Sequence, residues 1–249
     1  MILAIETATD VCGTALVHQQ RVVAHRTVVD RNIHSEKLLP MIDEVLRLAS
    51  VSLDHVEAIA VSIGPGSFTG LRIGLTTAKG LAVALSRPLV AVPTLDALVQ
   101  EYLRSGAVPD AKTVCALIDA KRDEAFFAIY SVDAAGFQKR SGYQIASAST
   151  IVDAVPSDGL VVFVGDAIRK IRNIPALNKQ LSFVDSIRCN PVSVGLLAEG
   201  GIRLSASETS VLEPMYLRDF TATQSGARHA GSSQPSRILP ESIGHSLEG

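Results

Sequence analysis

Positive charge is not in surplus in this sequence. Its 23 lysines and arginines face 25 aspartates and glutamates, for a formal net charge of −2. No global field therefore draws the chain onto nucleic acid or an anionic membrane, and a role in RNA biology would not require it to grip the RNA itself. No apolar run approaches the roughly 20 residues that a bilayer span needs. The opening Met1-Ile-Leu-Ala-Ile-Glu6 has no basic leader-type segment and reads as a buried strand. Cys12, Cys115 and Cys189 are odd in number and never spaced C-x-x-C. That excludes a disulfide framework or zinc knuckle and indicates a reducing, cytoplasmic compartment.

Familiar reaction motifs are missing as well. The histidines, at 18, 25, 34, 55, 229 and 245, include no pair four residues apart, so H-x-x-x-H and H-E-x-x-H metal sites are excluded. Ser67 sits in Gly66-Ser-Phe-Thr-Gly70, without the G-x-S-x-G spacing of a hydrolase elbow and with no base assigned to it. Cys12 and Cys115 lie in apolar strand contexts and read as inert core residues. No complete catalytic set emerges, and neither a metal nor a cofactor is expected.

What is present is apolar content, 47% against 19% charged residues, enough for one large core or two closely packed lobes. Strands are expected at 2–5, 13–17 and 22–28. A helix then starts near His34, with Leu38, Leu39, Ile42, Val45, Leu46 and Ala49 at three- and four-residue steps. Pro40 requires that helix to begin close by or to kink. A strand at 58–63 feeds Gly64-Pro-Gly-Ser-Phe-Thr-Gly70 and a helix over 71–85. A strand at 89–92 and a helix from Thr94, read as an N-cap, through Leu103 complete the first half. The order then restarts: strands at 114–118 and 125–130, a turn at 133–136, a strand at 160–164 running into Gly165-Asp166, and a helix over 191–204. Strand ends Ile5-Glu6 and Ile118-Asp119 place an acid at the same point of each half. The expected fold is α/β, a duplicated βββαβα plan in two lobes, 1–108 and 109–220. A tail at 221–249, rich in Ser, Gly, Pro, Gln and His, has too few apolar residues to offset its ordering entropy.

Two groups of residues are candidates for function. An acid at a strand end followed by small or hydroxyl residues, as in Glu6-Thr7 and Asp119-Ala120, can face a magnesium-bound phosphate, and Gly64 and Gly66 open a loop whose amides can meet an anion. It is not a Walker A loop, because no Gly-Lys-Ser/Thr follows and Lys79 lies more than two turns too late. The other reading of the loop is a tight strand-to-helix turn needing positive φ at glycine. In the next helix Gly70, Gly74 and Ala78 recur every fourth residue, extended by Gly80 and Ala84 and surrounded by Leu71, Leu75, Leu81, Val83 and Leu85. Interior glycines cost about 1 kcal/mol each relative to alanine, so the row marks a close approach by something. It is either the chain's own sheet or another protein's helix. The second reading expects Gly74→Leu to break a complex and leave the fold intact.

Several segments together resemble the TsaB (YeaZ) family. They are Ile2-Leu-Ala-Ile-Glu-Thr-Ala8, His34-Ser-Glu-Lys-Leu-Leu-Pro40, Gly64-Pro-Gly-Ser-Phe-Thr-Gly-Leu-Arg-Ile-Gly74, Ile118-Asp-Ala-Lys-Arg-Asp-Glu124 and Pro214-Met-Tyr-Leu-Arg218. The resemblance implies an actin-like ATPase-type fold and a non-catalytic part in threonylcarbamoyladenosine modification of tRNA. It implies a scaffold supporting the catalytic subunit TsaD, with the ATPase TsaE in the assembly and tRNA met only indirectly. It further implies docking, on TsaD or on a second copy as a homodimer, through the helices bearing His34, Leu38, Leu39, Ile42 and Val45 and bearing Gly70, Leu71, Arg72, Gly74, Leu75 and Ala78. His34 stands alone where the catalytic paralogue has a metal-binding pair, and Gly165-Asp166-Ala167 replaces a Gly-Gly nucleotide loop. The vestigial-site set is then Glu6, Thr7, Gly64, Gly66 and Asp119. The alternative is an active actin-fold small kinase or ATPase using Glu6, Asp119 and the Gly64 loop. A peptidase lacks both a metal pair and a nucleophile–base pair here.

Overall fold

Alternating buried segments in the first ninety residues close into a sheet whose order departs from the order of the chain. In the computed structural model, which describes residues 1–30, 34–108, 110–176 and 178–218, β1 (Ile2–Glu6) lies in the middle of this sheet. It pairs antiparallel with β2 (Val11–His18) and parallel with β4 (Ala58–Ser62). β3 (Arg21–Val29) flanks β2 and β5 (Leu89–Val92) flanks β4, giving the order β5-β4-β1-β2-β3. Every residue of β1 and β4 is buried, as expected for strands covered on both faces. Between the strands run α1 (His34–Leu48), α2 (Phe68–Leu85) and α3 (Thr94–Ser105).

The second half repeats this design. β6 (Thr113–Asp119), β7 (Glu124–Asp133), β8 (Gly136–Lys139), β10 (Leu160–Gly165) and β11 (Gln180–Val184) take the order β11-β10-β6-β7-β8. Strand for strand this is the first sheet again. β9 (Gln144–Ser147) is an addition that pairs with the other end of β7. Short helices α4 (Ala148–Ala154) and α5 (Ile168–Ile171) fill the crossover positions. The chain thus has the α/β, duplicated βββαβα plan of the actin-like ATPase-type fold, its second copy shortened.

Some boundaries differ from the sequence reading for local reasons. α2 begins at Phe68 because the Ser67 hydroxyl accepts the Gly70 amide as an N-cap. Thr94 is not a cap: Pro93 takes that position, and the Thr94 hydroxyl accepts the Gly64 amide at 3.0 Å. Pro40 lies inside α1 as its seventh residue, so the helix lacks one amide there.

The two sheets are also not consecutive in sequence. α6 (Pro191–Glu199) and β12 (Arg203–Leu204) return to the first sheet, where β12 pairs with β5. α6 is apolar all round, and such a helix must be covered on every side. It lies on β1 and β2 beneath α3, so close that a Cβ on Gly195 would meet Val17 Cγ2 at 2.6 Å. α7 (Ala206–Val211), closed by a Ser205–Glu208 capping box, follows beside α2. The core accordingly falls into clusters on both faces of both sheets. The expected tail, 221–249, lies outside the described residues.

Candidate functional site

The two segments richest in candidate residues interlock. β1 ends at Glu6, and the link after it, Thr7 to Asp10, runs along the glycine loop that follows β4. The Ala8 carbonyl accepts the Ser67 amide at 2.6 Å, and the Thr7 hydroxyl donates to the Gly70 carbonyl at 2.8 Å. Side chains are excluded from this contact. A Cβ on Gly66 would fall on the Ala8 carbonyl, one on Gly70 on the Thr7 carbonyl, and one on Gly74 on the Thr7 hydroxyl. Gly64, at φ +116, turns the chain where a Cβ would meet the Met215 carbonyl at 2.7 Å. The something that approaches the glycine row is therefore this chain's own 7–8 segment.

These contacts engage three of the loop's amides. Thr94 holds the Gly64 amide, Ala8 the Ser67 amide and Ser67 the Gly70 amide. Glu6 is fully buried at the centre of the interlock. One carboxylate oxygen accepts the Ala8 amide at 2.8 Å, while the other and the Ser62 hydroxyl are buried close enough to interact but outside hydrogen-bond geometry. Burial raises its pKa to about 7, against the pull of Ser62 and the Ala8 and Thr9 amides and with a small further push from Asp10. Fully buried, the carboxyl has no path to a hydrated cation. Of the two readings of this strand end, magnesium ligand or polar residue bonded to the next loop, the burial and the Ala8 bond favour the second.

Asp119, the matching acid of the second half, is held differently. Lys170 reaches it at 2.5 Å and Arg169 at 3.4 Å, and it accepts the Lys121 amide at 2.8 Å. Burial alone would raise its pKa, but the Lys170 ammonium and the Lys121 amide outweigh that and hold it below the usual carboxylate range. The Asp166 carboxylate accepts the Asp119 amide at 2.7 Å. Beside these groups is a cavity of about 430 Å³ lined by Asp10, Asp166, Asp185, Arg169, Arg172 and Arg188 among others. Its arginines are neutralised in place: Arg188 on Asp10 at 2.8 Å, Arg172 on Asp185 at 2.7 Å and Arg169 on Asp119. Glu6 and Asp119 thus stand at equivalent strand ends, yet neither presents a free carboxylate.

Most of the docking candidates face inward. His34, Leu38, Ile42, Val45, Gly70, Leu71, Gly74, Leu75 and Ala78 are buried in this chain, and only Leu39 and Arg72 of that set have exposed side chains. His34 Nε2 is 3.1 Å from the Val11 carbonyl, which requires the proton on that nitrogen. The nine buried residues shape α1 and α2 and reach a partner only through the helices they hold. Gly74→Leu is for the same reason no clean interface probe. The small-residue pattern nonetheless continues outward. Gly80 has no atom within 4 Å of an added Cβ, Ala84 and Val83 beside it are exposed, and Ile73 and Leu81 are half-buried against the core shared with α1.

Three arrangements were not read from the sequence. Pro214-Met-Tyr-Leu-Arg218 returns along α2: the Met215 amide donates to the Ile63 carbonyl, Tyr216 packs on Phe68 at 5.2 Å, and Arg72 lies 3.8 Å over Phe68 and donates to the Tyr216 hydroxyl. Arg218 then pairs with Glu124. Asp96 of α3 accepts the hydroxyls of Tyr130 at 2.7 Å and Tyr143 at 2.8 Å, tying that helix to the second sheet. Lys170, the partner of Asp119, carried no local signal beyond its place after Gly165-Asp166. Among the described residues no three His, Cys, Asp or Glu side chains gather as metal ligands, and no helix is long and apolar enough to cross a membrane.

Comparison with known proteins places this geometry. The family model described as TsaD: tRNA N6-adenosine threonylcarbamoyltransferase matches residues 23–222. The tRNA threonylcarbamoyladenosine biosynthesis protein TsaB of Escherichia coli (strain K12) is 40% identical over 135 residues, 54% of this chain and 57% of that protein. The protein of the same name from Haemophilus influenzae is 36% identical over 126 residues, 51% and 52% of the two chains. The chain spans about half the length of the curated relatives it matches. YeaZ from Pseudomonas aeruginosa superposes on 87% of this chain and 99% of its own, with a TM-score of 0.72 and 30% identity. The resemblance to TsaB (YeaZ) read from the sequence is borne out by these relatives.

Proposed function

This chain belongs to the tRNA N6-adenosine threonylcarbamoyltransferase (TsaD) family, and we propose that it serves tRNA threonylcarbamoyladenosine formation as a non-catalytic scaffold, docking on the catalytic TsaD subunit in the cytoplasm. TsaE joins that assembly, and the same helices can alternatively pair two copies of this chain. The observation that carries the reading is the outer face of α2. An interior glycine, Gly80, faces open space there, three residues before Val83 at 75% exposure, and Leu39 of α1 is exposed as well. A glycine costing about 1 kcal/mol relative to alanine, with nothing of its own chain to accommodate, suits close approach by another backbone. The closed state of Glu6 and Asp119 supports the same reading, since the kinase or ATPase alternative would call on both carboxylates.

Gly80→Leu tests it. The added side chain enters open space, so the fold holds and thermal stability is equal or higher, while the close approach is blocked. Co-elution of the variant with purified TsaD is expected to be lost, along with stimulation of tRNA modification. Co-elution at wild-type affinity would remove the docking face. Turnover of ATP by the purified chain, lost in Asp119→Asn, would replace the scaffold reading with the enzymatic one.

A further inference from the structure

The charges of α2 are of one sign: the helix carries Arg72 and Lys79 and no carboxylate. Seven residues apart, the two stand on one flank of the helix, about 10.5 Å from each other along its axis, with exposed Thr76 between them. Each is held by neutral groups. The Arg72 guanidinium lies over the Phe68 ring and donates through Nε to the Tyr216 hydroxyl at 3.1 Å, while Lys79 Nζ donates to the Ser210 carbonyl at 3.0 Å. Both Nη groups of Arg72 and two N–H groups of Lys79 are left to further acceptors. By these two contacts the 210–216 segment runs antiparallel to α2. Between them is a groove of about 270 Å³, lined by Arg72, Leu75, Thr76, Lys79, Leu212 and Pro214 among others. Its one acid, Glu213, is exposed and forms no ion pair with either cation.

We infer that this groove takes carboxylates from an acidic helix of the docking partner, two of them spaced about two turns apart to meet Arg72 and Lys79. The inference rests on the docking reading of α2 and adds the chemistry of what docks there. The groove is continuous with the proposed face: Gly80 lies one turn after Thr76 and Val83 one turn after Lys79. A helix that packs closely on Gly80 along α2 therefore covers the flank that bears both cations. Covering that flank with an apolar or basic helix would strand two charges away from water, and matching carboxylates remove that loss. Cations already fixed by Tyr216, Phe68 and Ser210 also need less ordering on binding than mobile ones. Arg72 further offers the paired N–H geometry that a carboxylate accepts with both oxygens. A second copy of this chain is a poorer match. Its α2 brings the same two cations, and its α1 exposes Lys37 and Arg47 alongside Glu36 and Asp43.

The test titrates the full chain with purified TsaD at low and at moderate salt. Arg72→Glu with Lys79→Glu is expected to weaken binding by about tenfold or more and to flatten its salt dependence. Lys112→Glu, a charge reversal at an exposed residue just before β6, should leave both as in the wild type. A series at one position separates charge from structure. Lys79→Arg should bind as the wild type does, Lys79→Gln more weakly and Lys79→Glu most weakly, although glutamine and glutamate have the same shape. Circular dichroism and melting establish that each variant is folded. If the wild type binds TsaD and the double reversal binds equally well, or Lys79→Gln and Lys79→Glu bind alike, the inference is overturned and the docking reading stands. A wild type that does not bind overturns both. Unchanged TsaD binding with loss of self-association in sedimentation would overturn the inference by giving the groove to a second copy.

Discussion

Replacing Glu6 with glutamine is expected to stabilise the protein above neutral pH and to do nearly nothing in acid. The carboxyl is wholly buried, and burial raises its pKa from the ordinary 4.5 to about 7. The sign follows from which state holds the proton. Below 4.5 both folded and unfolded chains are protonated and the difference vanishes. As pH rises, the unfolded carboxyl ionises first, while the folded one keeps its proton until about 7, so the native state loses ground throughout that window. At 1.36 kcal/mol per unit the loss reaches about 3 kcal/mol by pH 7 to 8, with less than about 1 kcal/mol of it present at pH 5. Glutamine escapes it without changing shape. Its oxygen can accept the Ala8 amide as the carboxylate does, and its amide nitrogen can donate to the otherwise unpartnered Ser62 hydroxyl. Urea unfolding of wild type and Glu6→Gln at pH 5, 6, 7 and 8 measures the difference, in which all other titrating groups cancel. Parallel stability curves, or a variant weaker at every pH, would mean that the carboxylate is ionised and bound in the native state, and the argument for a closed site at this strand end would fail.

Two further changes probe the interlock and the helix that supports it. Gly74→Ala should destabilise by about 1 to 3 kcal/mol, because its Cβ falls on the Thr7 hydroxyl. Adding Thr7→Ala, which deletes that oxygen, should recover part of the loss, and additive effects in the double-mutant cycle would show that the two residues do not touch. Asp96→Ala leaves the buried hydroxyls of Tyr130 and Tyr143 without their acceptor, at an expected cost of about 2 to 4 kcal/mol, whereas Tyr143→Phe should cost about 1 kcal/mol. Thermal melts separate these, and equal effects would deny Asp96 its part as the shared acceptor.

The duplicated plan was legible because strand periodicity, the two strand-end acids and the glycine-to-helix turn are local signals. Glu6 and Asp119 do occupy equivalent positions. What periodicity cannot carry is the direction in which a small residue faces. Gly70, Gly74 and Ala78 share one side of α2 and Gly80 lies on the other, and sequence spacing alone merged them into a single row. Only the long-range contact with Thr7, 67 positions earlier than Gly74, separates them. The same limit hid Lys170 from Asp119 and Tyr143 from Asp96, pairs far apart in sequence and brought together by the sheet order.

That division changes what the inner glycines mean. Their absence of side chains lets the Thr7 link lie directly on α2, and the Gly64 loop is held in turn by Thr94 and Met215. An anion would compete for the same amides. With three of its amides held by this chain, the loop is a support under the start of α2. The strand-end acids follow the same course, one enclosed by burial and the other paired with Lys170. In both halves the strand-end acids that could have faced a nucleotide are instead engaged within the chain, Glu6 with the Ala8 amide and Asp119 with Lys170.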